Sequence, residues 1–297
     1  MVLIKSFSVG NGDMFYINHD SDNFSIIDCC LPEENRNSIL DEIYEKSRDK
    51  NICRFISTHP DNDHIFGLED LDEKINILNF YCVQNEATKE DETSDFEKYC
   101  DLRDSEEKSF YIKEGCSRKW MNKNGGGRKH SGINILWPKT HSSHFQDELE
   151  NVKEGKSPNN ISPIIKYGLN NGISAIWMGD LENSFMENIE SYLDLSKIDI
   201  LFAPHHGRKT GRIPSELLND MDPEIIIVGE APSEDLEYYD NYNTITQNSS
   251  GDILFECLTN ETHIYVSNEN YSVDFLENES KGKFDDLNYI GTLNHNH

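Results

Sequence analysis

The sequence predicts a layered α/β fold. Apolar runs of strand length recur along most of the chain, and helical patterns fall between only some of them. The first strands also follow one another too closely for βαβ crossovers, which need a dozen or more residues. A sandwich of sheets and helices fits these observations better than a doubly wound parallel sheet. No internal repeat is visible.

The elements follow in order. Strand-like runs lie at Leu3–Val9, Met14–Ile17 and Phe24–Asp28. Residues Asn35–Arg48 carry Ile39, Leu40 and Ile43 at helical spacing. Further strands are expected at Ile52–Thr58, Ile75–Val83, Ile133–Trp137, Ile161–Leu169 and Ser174–Gly179. A helix over Asn183–Leu193 buries Phe185, Met186, Ile189 and Leu193. Strands at Ile198–Ala203 and Glu224–Val228 flank a short helix, Pro214–Leu218, with proline in its first turn. The last expected strands are Ile253–Leu258, His263–Ser267 and Ser272–Leu276.

One stretch breaks the pattern. Residues 84–130 are polar and change sign midway: 86–107 are acidic, whereas 108–130 hold seven Lys and Arg residues against Glu114 alone. Gly125-Gly126-Gly127 lends flexibility at the end of the basic part. We read 84–130 as an insertion or flap on a domain spanning 1–277, and 278–297 as a polar, disordered tail.

Composition narrows the function. The chain has 297 residues, 36% hydrophobic and 28% charged, with a formal net charge of −28. That charge repels nucleic acid and anionic lipid over most of the surface, which excludes a non-specific DNA coat protein. It leaves room for a nuclease with a local basic patch. The N-terminus lacks the apolar core of a signal peptide, and no apolar run approaches membrane-spanning length. The seven cysteines form no CxxC pair, so free thiols in a reducing cytoplasm are expected.

The densest chemistry is Thr58-His59-Pro60-Asp61-Asn62-Asp63-His64. The metal-competent residues His59, Asp61, Asp63 and His64 follow directly on the buried-strand pattern of Ile52–Ser57. A strand ending in such a cluster delivers ligands to one sheet edge, an arrangement suited to a metal-activated water. Two later strands end similarly, one in Gly179-Asp180 and one in His205-His206-Gly207. Alone, Gly-Asp would read as a turn and the paired histidines as a surface pair. Three strands ending in ligand-type residues make coincidence a poor explanation. Mixed imidazole and carboxylate ligands favour one or two divalent ions, zinc or manganese before others.

These motifs resemble the metallo-β-lactamase fold, in the variant of the hydrolase domain of ComEC-type DNA-uptake proteins and their free-standing relatives. Val9-Gly10-Asn11-Gly12-Asp13, Ile26-Ile27-Asp28 and Asn160-Ile161-Ser162 are similar to further motifs of that branch. The resemblance covers about residues 5–230. It implies a four-layer αββα sandwich with metals at one edge of two sheets. It implies His59 and Asp61 near one metal, Asp63 and His64 near the other, and Asp180 between them. His205 would close the site, with His206 against substrate or in support. The sequence departs from the family where no histidine supplies the middle ligand of the first metal; Asn160 lies nearest in order. Cys29-Cys30 replaces the usual Thr-Gly.

The expected chemistry is metal-dependent hydrolysis, with Asp63 and His206 as catalytic residues. Arg208, Lys209 and Arg212 follow the paired histidines, and three cations there suit a phosphate diester. The basic segment interleaves Phe110, Tyr111 and Trp120, as a single-strand-binding arm would. It could equally be a solvated loop or a docking arm. The resulting expectation is a phosphodiesterase or nuclease acting on DNA. The alternatives are a hydrolase of a cyclic nucleotide, thioester or amide, and a partner-controlled or non-catalytic module of a bacterial defence system. A regulatory protein partner and no membrane association complete the expectations.

Overall fold

The computed structural model describes residues 1–168 and 172–295. Leu169, the expected end of one strand, lies outside the described residues. Among the described residues, nine strands form one sheet, in the order 288–294, 261–266, 253–257, 2–6, 15–18, 23–27, 52–56, 80–82 and 109–111. Six form a second sheet, in the order 244–246, 225–228, 200–202, 174–177, 164–168 and 133–137.

Alternation along the strands explains the layers. In the larger sheet Ile4, Phe15, Ile17, Ile27 and Ile56 point into the core shared with the second sheet. Their neighbours Leu3, Tyr16, Phe24, Ile26 and Phe55 point the other way. There they pack with Ile39, Leu40 and Ile43 of helix Arg36–Ser47, Leu68 and Leu71 of helix Leu68–Ile75, and Phe96, Tyr99 and Leu102 of helix Ser94–Asp104. The outer face of the second sheet is covered by helices Ser143–Lys153, Asn183–Ile189 and Ser215–Met221. The αββα sandwich is therefore observed. No helix among the described residues is long and apolar enough to cross a membrane.

The expected close spacing of the first strands is resolved as an antiparallel meander, Leu3 opposite Asn18 and Phe15 opposite Ile27. Beyond it the chain crosses over through helix Arg36–Ser47, and strand 52–56 runs parallel to strand 23–27, with Ile27 opposite Ile56. In the second sheet, strands 174–177 and 200–202 are also parallel, with Ile176 opposite Leu201. Parallel neighbours end together, so their carboxyl ends bring separate loops to one edge. Three rings align the two sheets there: Trp177 stacks on Phe202 at 4.7 Å, and Phe15 lies 5.0 Å edge-on from Phe202.

Several expectations are corrected. Ile75 ends helix Leu68–Ile75, and Asn76 stops it in a left-handed conformation, so the strand is only Phe80–Cys82. Ile161 closes a 3-10 turn instead of opening a strand. Ser272–Leu276 is not a strand; its apolar side chains merely pad the core. Residues 84–130 are not a flap. Helix Ser94–Asp104 packs into the core, and Ser109–Tyr111 forms the sheet edge, because Phe96, Tyr99 and Leu102 give this charged stretch one apolar face. The expected disorder after Asn278 meets strand Asn288–Asn294, paired with Glu261–Val266. Tyr289 and Leu293 supply apolar contacts that the polar average conceals.

Candidate metal centre

Thr58 to His64 leave the end of strand Ile52–Ile56 and enter the short helix Asn62–Ile65. Asp28 ends the neighbouring strand and takes up the left-handed region, with φ of 56°. Its buried carboxylate accepts hydrogen bonds from the Thr58 backbone at 2.7 Å and from Thr58 Oγ1 at 2.6 Å. It also takes His64 Nδ1 at 2.9 Å.

These bonds settle the imidazole orientation. Thr58 gives its single hydroxyl proton to Asp28, so its oxygen accepts from His59 Nδ1 at 3.0 Å. His59 Nε2 is left facing Asp180 Oδ2 and Asp61 Oδ2, both at 3.9 Å. His64 Nε2 lies 3.0 Å from Asp180 Oδ1.

Asp180 follows strand Ser174–Trp177 through Gly179, whose φ is 52°. A Cβ on Gly179 would meet Ser162 Oγ at 2.6 Å, so only glycine fits this turn. Ser162 Oγ in turn accepts the Asp180 backbone N–H at 3.2 Å. On the parallel strand, His205 and His206 have φ of 53° and 57° and precede Gly207 at 89°. Non-glycine residues in this region cost about 1–3 kcal/mol each. The turn aims both rings back at Asp180, with His205 Nε2 at 3.5 Å and His206 Nε2 at 3.7 Å from Oδ2. Thr210 Oγ1 holds His205 Nδ1 at 2.9 Å, and Asp13 holds His206 Nδ1 at 3.1 Å.

All four histidines thus use Nδ1 for the fold and present Nε2 to one carboxylate. His59 Nε2 is buried without a hydrogen-bond partner, and His64 Nε2 and His206 Nε2 meet only carboxylate oxygens, Asp180 Oδ1 at 3.0 Å and Asp63 Oδ2 at 3.5 Å. Buried polar atoms left this way call for an explanation, and a cation supplies one. Asp13, His64, Asp180 and His206 can offer ligand atoms within 4.8 Å of one another. The donor set fits a divalent metal.

Without a metal the charges balance internally. Burial works against the His64 imidazolium, but Asp180 and Asp28 outweigh it and hold the ring well above its ordinary pKa. Burial likewise opposes His206, yet Asp13 and Asp180 raise it to about 10. Burial pushes the Asp63 carboxyl up, but its hydrogen bond with His206 and the nearby His64 overcome this and hold it at about 2. Burial dominates at His59 and lowers it well below the usual imidazole range.

Of the expected site residues, His59, Asp61, Asp63, His64, Asp180, His205 and His206 come together. Of the paired histidines, His206 is the fully buried ring and meets Asp63 Oδ2 at 3.5 Å, whereas His205 stays partly open to solvent. Of the expected cations, Arg208 contacts Asn11 in the N-terminal loop, and Lys209 is exposed. Arg212 lies 3.6 Å from Asp235 and over the Tyr238 ring, so it is committed to the fold. Asn160 is clasped to Glu182, accepting its backbone N–H at 3.1 Å. Tyr239 is buried. The basic segment is anchored: Arg118 packs over Tyr81 and Phe110, and Trp120 lies under Lys119 and Arg128.

Sequence reasoning missed the roles of Asp13, Asp28 and Lys89. Asp13 sits on a loop whose Gly10 N–H donates to Glu230 at 2.9 Å. Its signal was present in the Gly10-Asn11-Gly12-Asp13 motif. Lys89, 3.0 Å from Asp61, had none.

Residues 8–154 match the family described as the Metallo-beta-lactamase superfamily. No curated protein matches the chain. Among solved structures, one described as a new diphosphatase from the PhnP family is similar at 12% identity and a TM-score of 0.38, covering 77% of this chain and 87% of that one.

Proposed function

We propose that this chain, whose residues 8–154 match the Metallo-beta-lactamase superfamily, is a metal-dependent hydrolase that cleaves phosphodiesters, with DNA as the substrate. The observation that carries the reading is the convergence of four imidazole Nε2 atoms on the buried Asp180 carboxylate. The ComEC-type motifs support DNA, and Arg208 and Lys209 beside the paired histidines support an anionic substrate.

Asp63, His64, Asp180 and His206 would hold the ion, with His59, Asp61 and His205 around it. A divalent ion there would polarise a phosphoryl oxygen and lower the pKa of a water. The protein's own part is orientation. Asp28 and Asp13 fix the rings of His64 and His206 through Nδ1, and Thr58 and Thr210 do the same for His59 and His205. Asp63 is ionised and a weak base at about 2, so it orients an attacking water better than it removes a proton. Lys209 is exposed at the turn after the histidines and is free to meet a phosphate.

The test is hydrolysis of linear and circular DNA, single- and double-stranded, with bis-p-nitrophenyl phosphate alongside. Manganese, zinc and magnesium are supplied in turn. The expected result is metal-dependent cleavage that disappears in the Asp63→Ala/His64→Ala double variant, which stays folded but loses metal. Cleavage of the small ester alone would replace DNA with a nucleotide substrate. Activity retained by the double variant would overturn the site.

A further inference from the structure

We infer that the centre takes one divalent ion, on the Asp63, His64, Asp180 and His206 side, because the Lys89 ammonium occupies the Asp61 carboxylate and neutralises it in the place of a second ion. This rests on the metal-centre reading above and goes beyond it in stoichiometry and in the role of Lys89.

The two sides of Asp180 are unequal. On one side His64 Nε2 is 3.0 Å from Asp180 and His206 Nε2 is 3.5 Å from Asp63. On the other, His59 Nε2 stands 3.9 Å from both Asp61 and Asp180. Besides the partly open His205, whose Nε2 lies 3.5 Å from Asp180, that second side has only His59 and Asp61 as donors among the described residues, because Asn160 is bonded to Glu182. Its one carboxylate is already paired: Lys89 Nζ donates to Asp61 Oδ1 at 3.0 Å. A cation would have to displace that ammonium before it could take the full charge of Asp61.

Lys89 is placed by the fold. Its ammonium lies 5.4 Å from the ring centroid of Phe96, a buried side chain of helix Ser94–Asp104. The chain just before it is pinned at two points. Asn85 Nδ2 donates to Val83 O and to Tyr99 Oη, and Asn85 Oδ1 accepts the Ala87 N–H. Thr88 donates from its backbone to Val152 O at 3.2 Å and from its hydroxyl to Lys153 O at 3.0 Å. An aromatic face and a carboxylate on one ammonium make a defined seat, unlike a solvated surface lysine.

The test is metal content by mass spectrometry after loading with excess zinc and gel filtration, with circular dichroism as the folding control. Wild type is expected to hold one ion per chain and Lys89→Arg one. Lys89→Met, which keeps the stem on Phe96 and removes the charge, is expected to rise toward two. A parallel manganese sample should show the uncoupled paramagnetic signal of a lone ion in wild type and a spin-coupled pair in Lys89→Met. Two ions in wild type, or no gain in Lys89→Met, overturns the inference and leaves the metal centre standing. No ion in wild type overturns the metal centre and this inference with it.

Discussion

Asp28 holds His64: the carboxylate takes the ring's Nδ1 at 2.9 Å, and the far nitrogen is thereby turned to Asp180 at 3.0 Å. The pair spans two adjacent parallel strand ends, so sheet register sets the ring's direction before any ion binds. Removing such a supporting carboxylate commonly costs 10–100-fold in metal affinity, which is on the order of 1–3 kcal/mol.

Asp28→Asn is therefore expected to keep the fold and weaken metal binding by about 10-fold or more. Asparagine tolerates the left-handed backbone there, so the change isolates the charge. A competition titration against a chromophoric chelator measures it. Unchanged affinity would mean that His64 is oriented by packing alone.

Phe202→Ala should remove the ring that joins the two sheets beside the site. Phe202 is buried and touches Phe15, Trp177 and Phe255. The expected loss is about 3–5 kcal/mol in urea unfolding, with metal affinity falling too as Asp180 and His205 lose their common frame. A loss under about 1 kcal/mol would show that the sheets are aligned by other contacts.

The metal-stripped protein should have a stability window. Asp63 sits at about 2 in the fold against an ordinary 3.8, so its contribution is present above 3.8 and is lost as pH falls through about 2. His206 sits at about 10 against 6.5, so its contribution is full below 6.5 and is lost as pH rises through about 10. Melting in chelator should thus decline from pH 6.5 toward 10, and His206→Asn should flatten that slope. A wild-type profile already flat across this range would remove the proposed imidazolium.

Lys119, Lys123 and Lys129 remain exposed although Arg118, Trp120 and Arg128 are anchored. Charge reversal of the three lysines to glutamate should weaken DNA binding. It should also flatten the salt dependence by about one unit for each lysine that meets a phosphate. If neither changes, the segment serves docking or nothing beyond the fold.

Much of the site was legible because ligands that follow a strand form a local pattern. His59, Asp61, Asp63 and His64 lie within one turn of chain, and Asp180 and the paired histidines each end an apolar run. Residues 84–130 were misread because average polarity hid Phe96, Tyr99 and Leu102, one apolar stripe on a charged helix. Strand Asn288–Asn294 was hidden in the same way.

By itself the sequence determined the layered α/β class, the strand ends that carry chemistry, and the kind of cation their side chains suit. Only the tertiary structure decided which side chains meet. Asp13 reaches His206, and Lys89 reaches Asp61, through sheet register and loop anchoring that no local pattern encodes. The order of the paired histidines was decided there too. Two consecutive left-handed residues bury His206 against Asp63 and leave His205 at the opening, and that twist depends on the glycine and the sheet packed around it.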